Sequence, residues 1–363
     1  MARSWADLPQ ELLRQCSRRL CPKNLSVFRA VCRSWRSAAV KEWSDVPSLM
    51  LADKGEMLWR EFFCLRCEQF HTKLLPEVMA NRYFSSRDWV LTISRDWEFQ
   101  MLRNPMLRYS RIIKLPSWNK FPDIYVLPPF YVSFITKFVL SDSPTTSQDY
   151  KVMVIYDHGR RLGLWKPGDE EWTAVTSPAV EYCDVIYHKG CFIALDGEGG
   201  IYRCDVDGST PFEAQVVFEM PERLLEPFGL VQLYLVQAMT GSLLFVSQWE
   251  DCSDFSMSRR RPTGSYRFDV FEIDLDTQTY TEVLSLENKS LFLGHNSSFC
   301  LEVDENHIIE SNCIYFTKYN IPPSQFTEDG GVTNMGIYHL KDGTIKPHVK
   351  GKSSPLLWIE PSF

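Results

Sequence analysis

Apolar positions recur at helical spacing near the start of the chain and lose that spacing beyond residue 47. Pro9 suits a first helical turn, where its missing N–H costs nothing. Leu12, Leu13, Cys16 and Leu20 follow at intervals of one, three and four, which predicts a single helical face. Cys21-Pro22-Lys23-Asn24 interrupts it, and Leu25, Phe28, Cys32 and Trp35 resume a stripe. The pattern predicts two or three short helices. So short a segment has too little interior for that much apolar surface. It must therefore pack against the rest of the chain or against another protein, and periodicity alone fits a helical cap on a larger domain equally well.

After a short hinge from Glu42 to Pro47, β-rich runs alternate with Gly, Pro, Asp and Asn turns. This predicts an all-β sandwich, barrel or propeller. The runs repeat loosely as strand, turn, strand. Examples are Lys151-Val152-Met153-Val154-Ile155-Tyr156 with Leu162-Gly163-Leu164-Trp165, and Cys191-Phe192-Ile193-Ala194-Leu195 with Ile201-Tyr202-Arg203-Cys204. The spacing suits a propeller of about six blades. A sandwich stays open on pattern alone. A long polar insertion runs from Glu250 to Ser265.

The chain has 363 residues, 44% hydrophobic and 23% charged, which is globular and long enough for two or three domains. Charge is divided unevenly. Residues 1–41 hold nine Lys/Arg and two Asp/Glu, hence +7, and the remaining thirty against forty-four give −14. A basic first segment seeks an acidic partner, protein or nucleic acid, while the acidic body argues against broad nucleic-acid binding. Eleven cysteines stand without framework spacing, no secretory h-region follows Met1, and no run of about twenty apolar residues occurs. These features predict a reducing cytosolic or nuclear location, no membrane, and thiols that mostly act as small buried hydrophobes.

Few constellations carry chemistry. Cys64-Leu65-Arg66-Cys67 with His71 has part of a zinc-ligand spacing, but a structural site takes four ligands and the sequence offers no fourth close by. Cys64 and Cys67 are expected in a strand with Phe62, Phe63, Leu65 and Phe70, and neither metal nor cofactor is expected. Gly197-Glu198-Gly199-Gly200 lacks the Lys-Ser/Thr of a phosphate loop and predicts a hairpin turn. Asp205-Val206-Asp207-Gly208 and Asp274-Leu275-Asp276 predict turns. Arg259-Arg260-Arg261-Pro262 predicts a solvated loop. Trp89, Trp97, Trp165, Trp172 and Trp249 predict packing between blades. No nucleophile-and-base pairing is present, so an enzyme would need a pocket of converging perturbed groups.

The ordered set Leu8-Pro9, Glu11-Leu12-Leu13, Leu20 and Phe28-Arg29-Ala30-Val31-Cys32-Arg33-Ser34-Trp35 resembles an F-box. Cys16 departs from it, since the family usually carries a large aliphatic there. Residues 47–363 resemble the C-terminal, kelch-like domain of a large plant family of F-box proteins. The matching pieces are Leu102-Arg103-Asn104-Pro105, Trp165-Lys166-Pro167-Gly168-Asp169-Glu170-Glu171-Trp172, Phe292-Leu293-Gly294-His295-Asn296-Ser297-Ser298-Phe299, Asn312-Cys313-Ile314-Tyr315-Phe316 and Trp358-Ile359-Glu360-Pro361-Ser362. The repeated Gly-Gly pair of true kelch blades is missing.

The resemblance implies an all-α F-box over residues 1–45 and a propeller-like recognition domain over 46–363. It implies a non-catalytic substrate-recognition subunit of a Skp–cullin–F-box ubiquitin ligase, holding a Skp-type adaptor at one end and a protein target at the other. The adaptor face would comprise Leu8, Pro9, Leu12, Leu13, Cys16, Leu20, Leu25, Phe28, Val31, Cys32 and Trp35. The other readings are an F-box scaffold acting outside a ligase, and a nucleic-acid-binding helical segment on a propeller.

Overall fold

A computed structural model describes residues 5–39, 46–51, 59–75, 80–94, 96–103, 105, 111–124, 134–208, 212–225, 229–250, 266–303, 308–317, 335–346 and 355–361. Three helices come first: α1 (Gln10–Arg18), α2 (Pro22–Val31) and α3 (Arg33–Ala38). Pro9 stands at the N-cap of α1, and Pro22 opens α2 at a position whose N–H has no intrahelical partner. The interruption read at Cys21–Asn24 is thus the junction where one helix ends and the next begins. Leu13, Leu25, Phe28, Ala38 and Ala39 form a small core, with Leu8, Leu20 and Trp35 packed on its edge. Most of the expected 42–47 hinge and of the 250–265 insertion, with Arg259-Arg260-Arg261, lies outside the described residues.

The strands form six blades. Blade 1 holds β1 (Ser48–Leu51), β2 (Trp59–Cys64), β3 (Gln69–Leu74) and the last strand, β25 (Pro355–Ile359). Blade 2 holds β4 (Ala80–Ser86), β5 (Trp89–Ser94), β6 (Phe99–Arg103) and β7 (Ile112–Leu115). Blade 3 runs through β8 (Ile135–Leu140), β9 (Val152–Tyr156), β10 (Arg161–Trp165) and β11 (Thr173–Thr176). Blade 4 follows with β12 (Tyr182–His188), β13 (Cys191–Asp196), β14 (Gly200–Asp205) and β15 (Phe212–Glu219). Parallel pairing of β11 with β15 joins blades 3 and 4 at their outer edges. Blade 5 is β16 (Leu230–Gln237), β17 (Leu243–Glu250), β18 (Tyr266–Asp274) and β19 (Thr279–Glu282). Blade 6 is β20 (Lys289–Leu293), β21 (Ser298–Glu302), β22 (Cys313–Thr317), β23 (Met335–His339) and β24 (Ile345–Lys346). Its spatial order is β21-β20-β22-β23-β24, because β20 hairpins inward to β21 before the chain returns to lie parallel to it.

The continuous apolar runs follow from burial on both faces. In β9, Val152, Val154 and Tyr156 face blade 2, while Met153 and Ile155 face blade 4. In β17, Leu243 and Phe245 face blade 4, while Leu244 and Val246 face blade 6. In β1, Leu49 and Leu51 face blade 6 and Met50 faces blade 2. Successive side chains alternate between seams, so no position of such a strand is left to be polar. Six apolar seams close the ring, whereas a sandwich would have one. The outer strands thin out in apolar content, as in β19, Thr279-Tyr280-Thr281-Glu282. The five singled-out tryptophans, Trp89, Trp97, Trp165, Trp172 and Trp249, are all buried, as blade packing requires.

One expectation is overturned at the join between the helices and blade 1. Cys64 ends β2, but Cys67 lies in the turn that follows, and His71 lies in β3. The fourth group absent from the nearby sequence comes from the helices. Cys21, the N-cap of α2, reaches the same turn, with its Sγ within 4.8 Å of those of Cys64 and Cys67.

Candidate functional site

The helical segment separates its apolar residues into two sets. Leu13, Leu25 and Phe28 are inside, at most 7% exposed, with Leu8, Leu20, Cys32 and Trp35 half-buried around them. Phe28 lies against Trp35 at 4.4 Å, and Trp35 Nε1 donates to the Trp5 carbonyl at 3.1 Å. These residues build the scaffold, and Leu13, Leu25 and Phe28 of the adaptor set implied by the sequence are almost fully covered within it. The outward set is Pro9, Leu12 (47% exposed), Cys16 and Val31 (56%), joined by Trp5 (76%) and Val27 (64%). Sequence reading missed Trp5 and Val27, because both fall off the helical stripe that defines the interior. Large apolar side chains at odds with the core stripe are the signal that marks them.

At the centre of the propeller the inner strands surround a cavity of about 380 Å³. Polar side chains there cross from blade to blade. Lys137 of β8 pairs with Asp184 of β12 at 2.5 Å, both almost fully buried. Asp184 also accepts the N–H of Val185 at 2.7 Å and that of Leu235 in β16 at 2.8 Å. Burial pushes the Asp184 carboxyl above its ordinary range, against the pull of Lys137 and the two N–H groups. Asn296, in the β20–β21 turn, accepts the Phe138 N–H at 2.8 Å and donates to the Phe138 and Ser85 carbonyls. Glu360, just past β25, accepts from Ser297 Oγ at 2.7 Å and from the Arg87 N–H at 2.9 Å, and burial raises its pKa too.

Two carboxyls of raised pKa therefore sit among the inner strands, Asp184 in blade 4 and Glu360 just past β25 of blade 1. Both Asp184 oxygens and Glu360 Oε1, however, are already engaged by backbone and side-chain donors, most of them from neighbouring blades. The arrangement ties six inner strands into one ring. Buried ion pairs of this kind fix geometry more than they add stability. None of these groups was singled out as a site from sequence. The available signal was a lone charge inside an apolar run, as in Ile135-Thr136-Lys137-Phe138 and Cys183-Asp184-Val185-Ile186.

A family model described as the KIB1-4 beta-propeller matches residues 62–339, well over half of the chain. The chain belongs to the KIB1-4 β-propeller family. An F-box domain model matches residues 5–46, ahead of the KIB1-4 propeller. F-box protein SKIP23 of Arabidopsis thaliana is 26% identical over 397 aligned positions, covering 99% of this chain and 95% of the relative. An F-box/kelch-repeat protein of the same plant is 23% identical over 370 positions, covering 98% and 94%. The chain thus combines an F-box with a KIB1-4 propeller. No helix among the described residues is long and apolar enough to cross a membrane.

Proposed function

We propose that this chain is a substrate-recognition subunit of a Skp–cullin–F-box ubiquitin ligase, with the F-box docking a Skp-type adaptor and the propeller holding a protein target. The observation that carries this reading is the exposed apolar set Trp5, Pro9, Leu12, Cys16, Val27 and Val31 on a helical unit that already has its own core. Neighbouring basic residues suit an acidic adaptor. Tethering a target near the transfer machinery raises its effective concentration, and the chain need supply no catalytic group.

The test is Leu12→Ala with Val31→Ala. Both side chains are about half exposed, so their truncation spares the helical core. Together they remove roughly 2–3 kcal/mol of contact, so adaptor affinity should fall about a hundredfold by calorimetry with helicity unchanged. Binding that is undiminished and collapses steeply with salt would instead favour the nucleic-acid reading, since phosphate contacts release counterions.

A further inference from the structure

We propose that Cys21, Cys64, Cys67 and His71 bind one zinc ion, and that this ion locks the F-box onto blade 1 of the propeller. The four ligand atoms all lie within 4.8 Å of one another, and Cys67 Sγ is 3.1 Å from His71 Nε2. A tetrahedral site with Zn–S bonds of about 2.3 Å needs sulfurs roughly 3.8 Å apart, which small side-chain adjustments reach. Cys21, Cys64 and His71 are buried, and Cys67 is half-buried.

One tight hairpin brings three of the ligands together. Cys64 ends β2, Cys67 lies in the turn that follows and His71 lies in β3, with Glu68 turning the chain through the left-handed region at φ of 52°. On the F-box side, Cys21 is the N-cap of α2. Three thiolates, one neutral imidazole and a divalent ion sum to −1, the sign that a helix N-terminus favours. Packing alone would leave the cluster poorly satisfied. His71 Nδ1 finds no hydrogen-bond partner among the described residues. Zinc binding would release the thiol protons to solvent and leave all three sulfurs as thiolates.

A second trio, Glu310, Cys313 and His339, also converges. There Lys346 already holds Glu310 at 2.9 Å, so its charge is met without a metal.

The role of the Cys3His site would be geometric. Cys64, Cys67 and His71 come from one hairpin of blade 1, and Cys21 from the junction of α1 and α2. The ion would therefore fix the angle at which the propeller stands off from the F-box.

The experiment measures metal in the full-length chain, purified with reductant and without chelator. Elemental mass spectrometry should find about one zinc per chain. Cobalt added in its place should give the thiolate charge-transfer and visible bands of a tetrahedral sulfur-rich site. Cys21→Ser should weaken zinc binding at least about a hundredfold, since even an outer partner of a ligand is worth ten- to a hundredfold. Cys191→Ser, in blade 4, should keep the full complement. Wild-type protein that carries no zinc and gives no cobalt bands would overturn the proposal. So would iron in place of zinc, or a disulfide among these cysteines under reductant. Zinc retained in full by Cys21→Ser would overturn the clamp. The wild-type measurements decide the matter even where a variant fails to fold.

Discussion

His295 lies in the β20–β21 turn, its ring 6.1 Å from that of Phe84 and its Nε2 3.4 Å from an Arg82 guanidinium nitrogen. Burial, then the charges of Arg82 and Lys137, hold its pKa well below the ordinary 6.5. The folded state therefore binds fewer protons there than the unfolded state. The stability this gives is present above the unfolded pKa and is lost as pH falls. Each pH unit below 6.5 should remove about 1.4 kcal/mol until the folded pKa is reached. His188 acts with the same sign, through burial and Lys189. Glu360 and Asp184 act oppositely, since their raised pKa values make the folded state the better proton binder. The measurement is therefore a difference: urea unfolding of wild type and His295→Gln at pH 7 and pH 5.5. Wild type should lose more stability than the variant over that interval, by up to about 1 kcal/mol. Equal losses would show that the His295 ring takes up its proton in the folded state.

At the scale of elements, blade 6 depends on the turn that carries Asn296. Its amide serves Phe138 at the N–H and the carbonyl, and Ser85 at the carbonyl, so one side chain joins blades 6, 3 and 2. Asn296→Ala should strand buried backbone groups and cost roughly 2–4 kcal/mol. Asn296→Asp should cost more, and increasingly so above its pKa, because a carboxylate would then face two carbonyl oxygens. Thermal melts at pH 5 and pH 8 separate the two variants, and a harmless Asn296→Ala would remove the turn from the ring's supports. The run Gly294-His295-Asn296-Ser297-Ser298 was recognisable in the sequence as a family piece, but its purpose was not. Local pattern reports which residues form strands. It also located the Gly197–Gly200 turn, where Asp196 Oδ1 accepts the Glu198 and Gly200 N–H groups. Partners far apart in sequence leave no such trace: Asn296 and Ser85 are 211 residues apart. Cys21 escaped for the same reason. The helical stripe of the F-box was legible, yet periodicity alone could not divide it into the buried Leu13, Leu25 and Phe28 and the exposed Leu12 and Val31.

For the whole molecule, closure falls to the last described strand. β25 is the inner strand of blade 1 and pairs with β1 through Ser48↔Ile359, Leu49↔Trp358 and Met50↔Leu357. Its side chains serve both flanking seams. Trp358 packs against blade 6, edge-on to Phe292 at 5.2 Å, while Leu357 and Ile359 pack with Tyr83, Val90 and Leu102 of blade 2. Ser85 Oγ, in blade 2, also donates to the Trp358 carbonyl at 2.5 Å. Removing residues 355–363 therefore opens two seams at once and leaves β1 as a bare inner edge. Removing residues 1–39 uncovers the cluster at Cys64, Cys67 and His71, while the helices keep a core of their own. The propeller should fold without the helices but not without β25. Trp358→Ala in the full chain should cost about 3–5 kcal/mol and lower the melting temperature by roughly 5–15 °C. Deletion of residues 1–39 should lower it by less. Calorimetry of the three chains in the presence of zinc decides the matter: a helix deletion as damaging as loss of β25 would mean that the ring is held shut by the F-box rather than by its own ends.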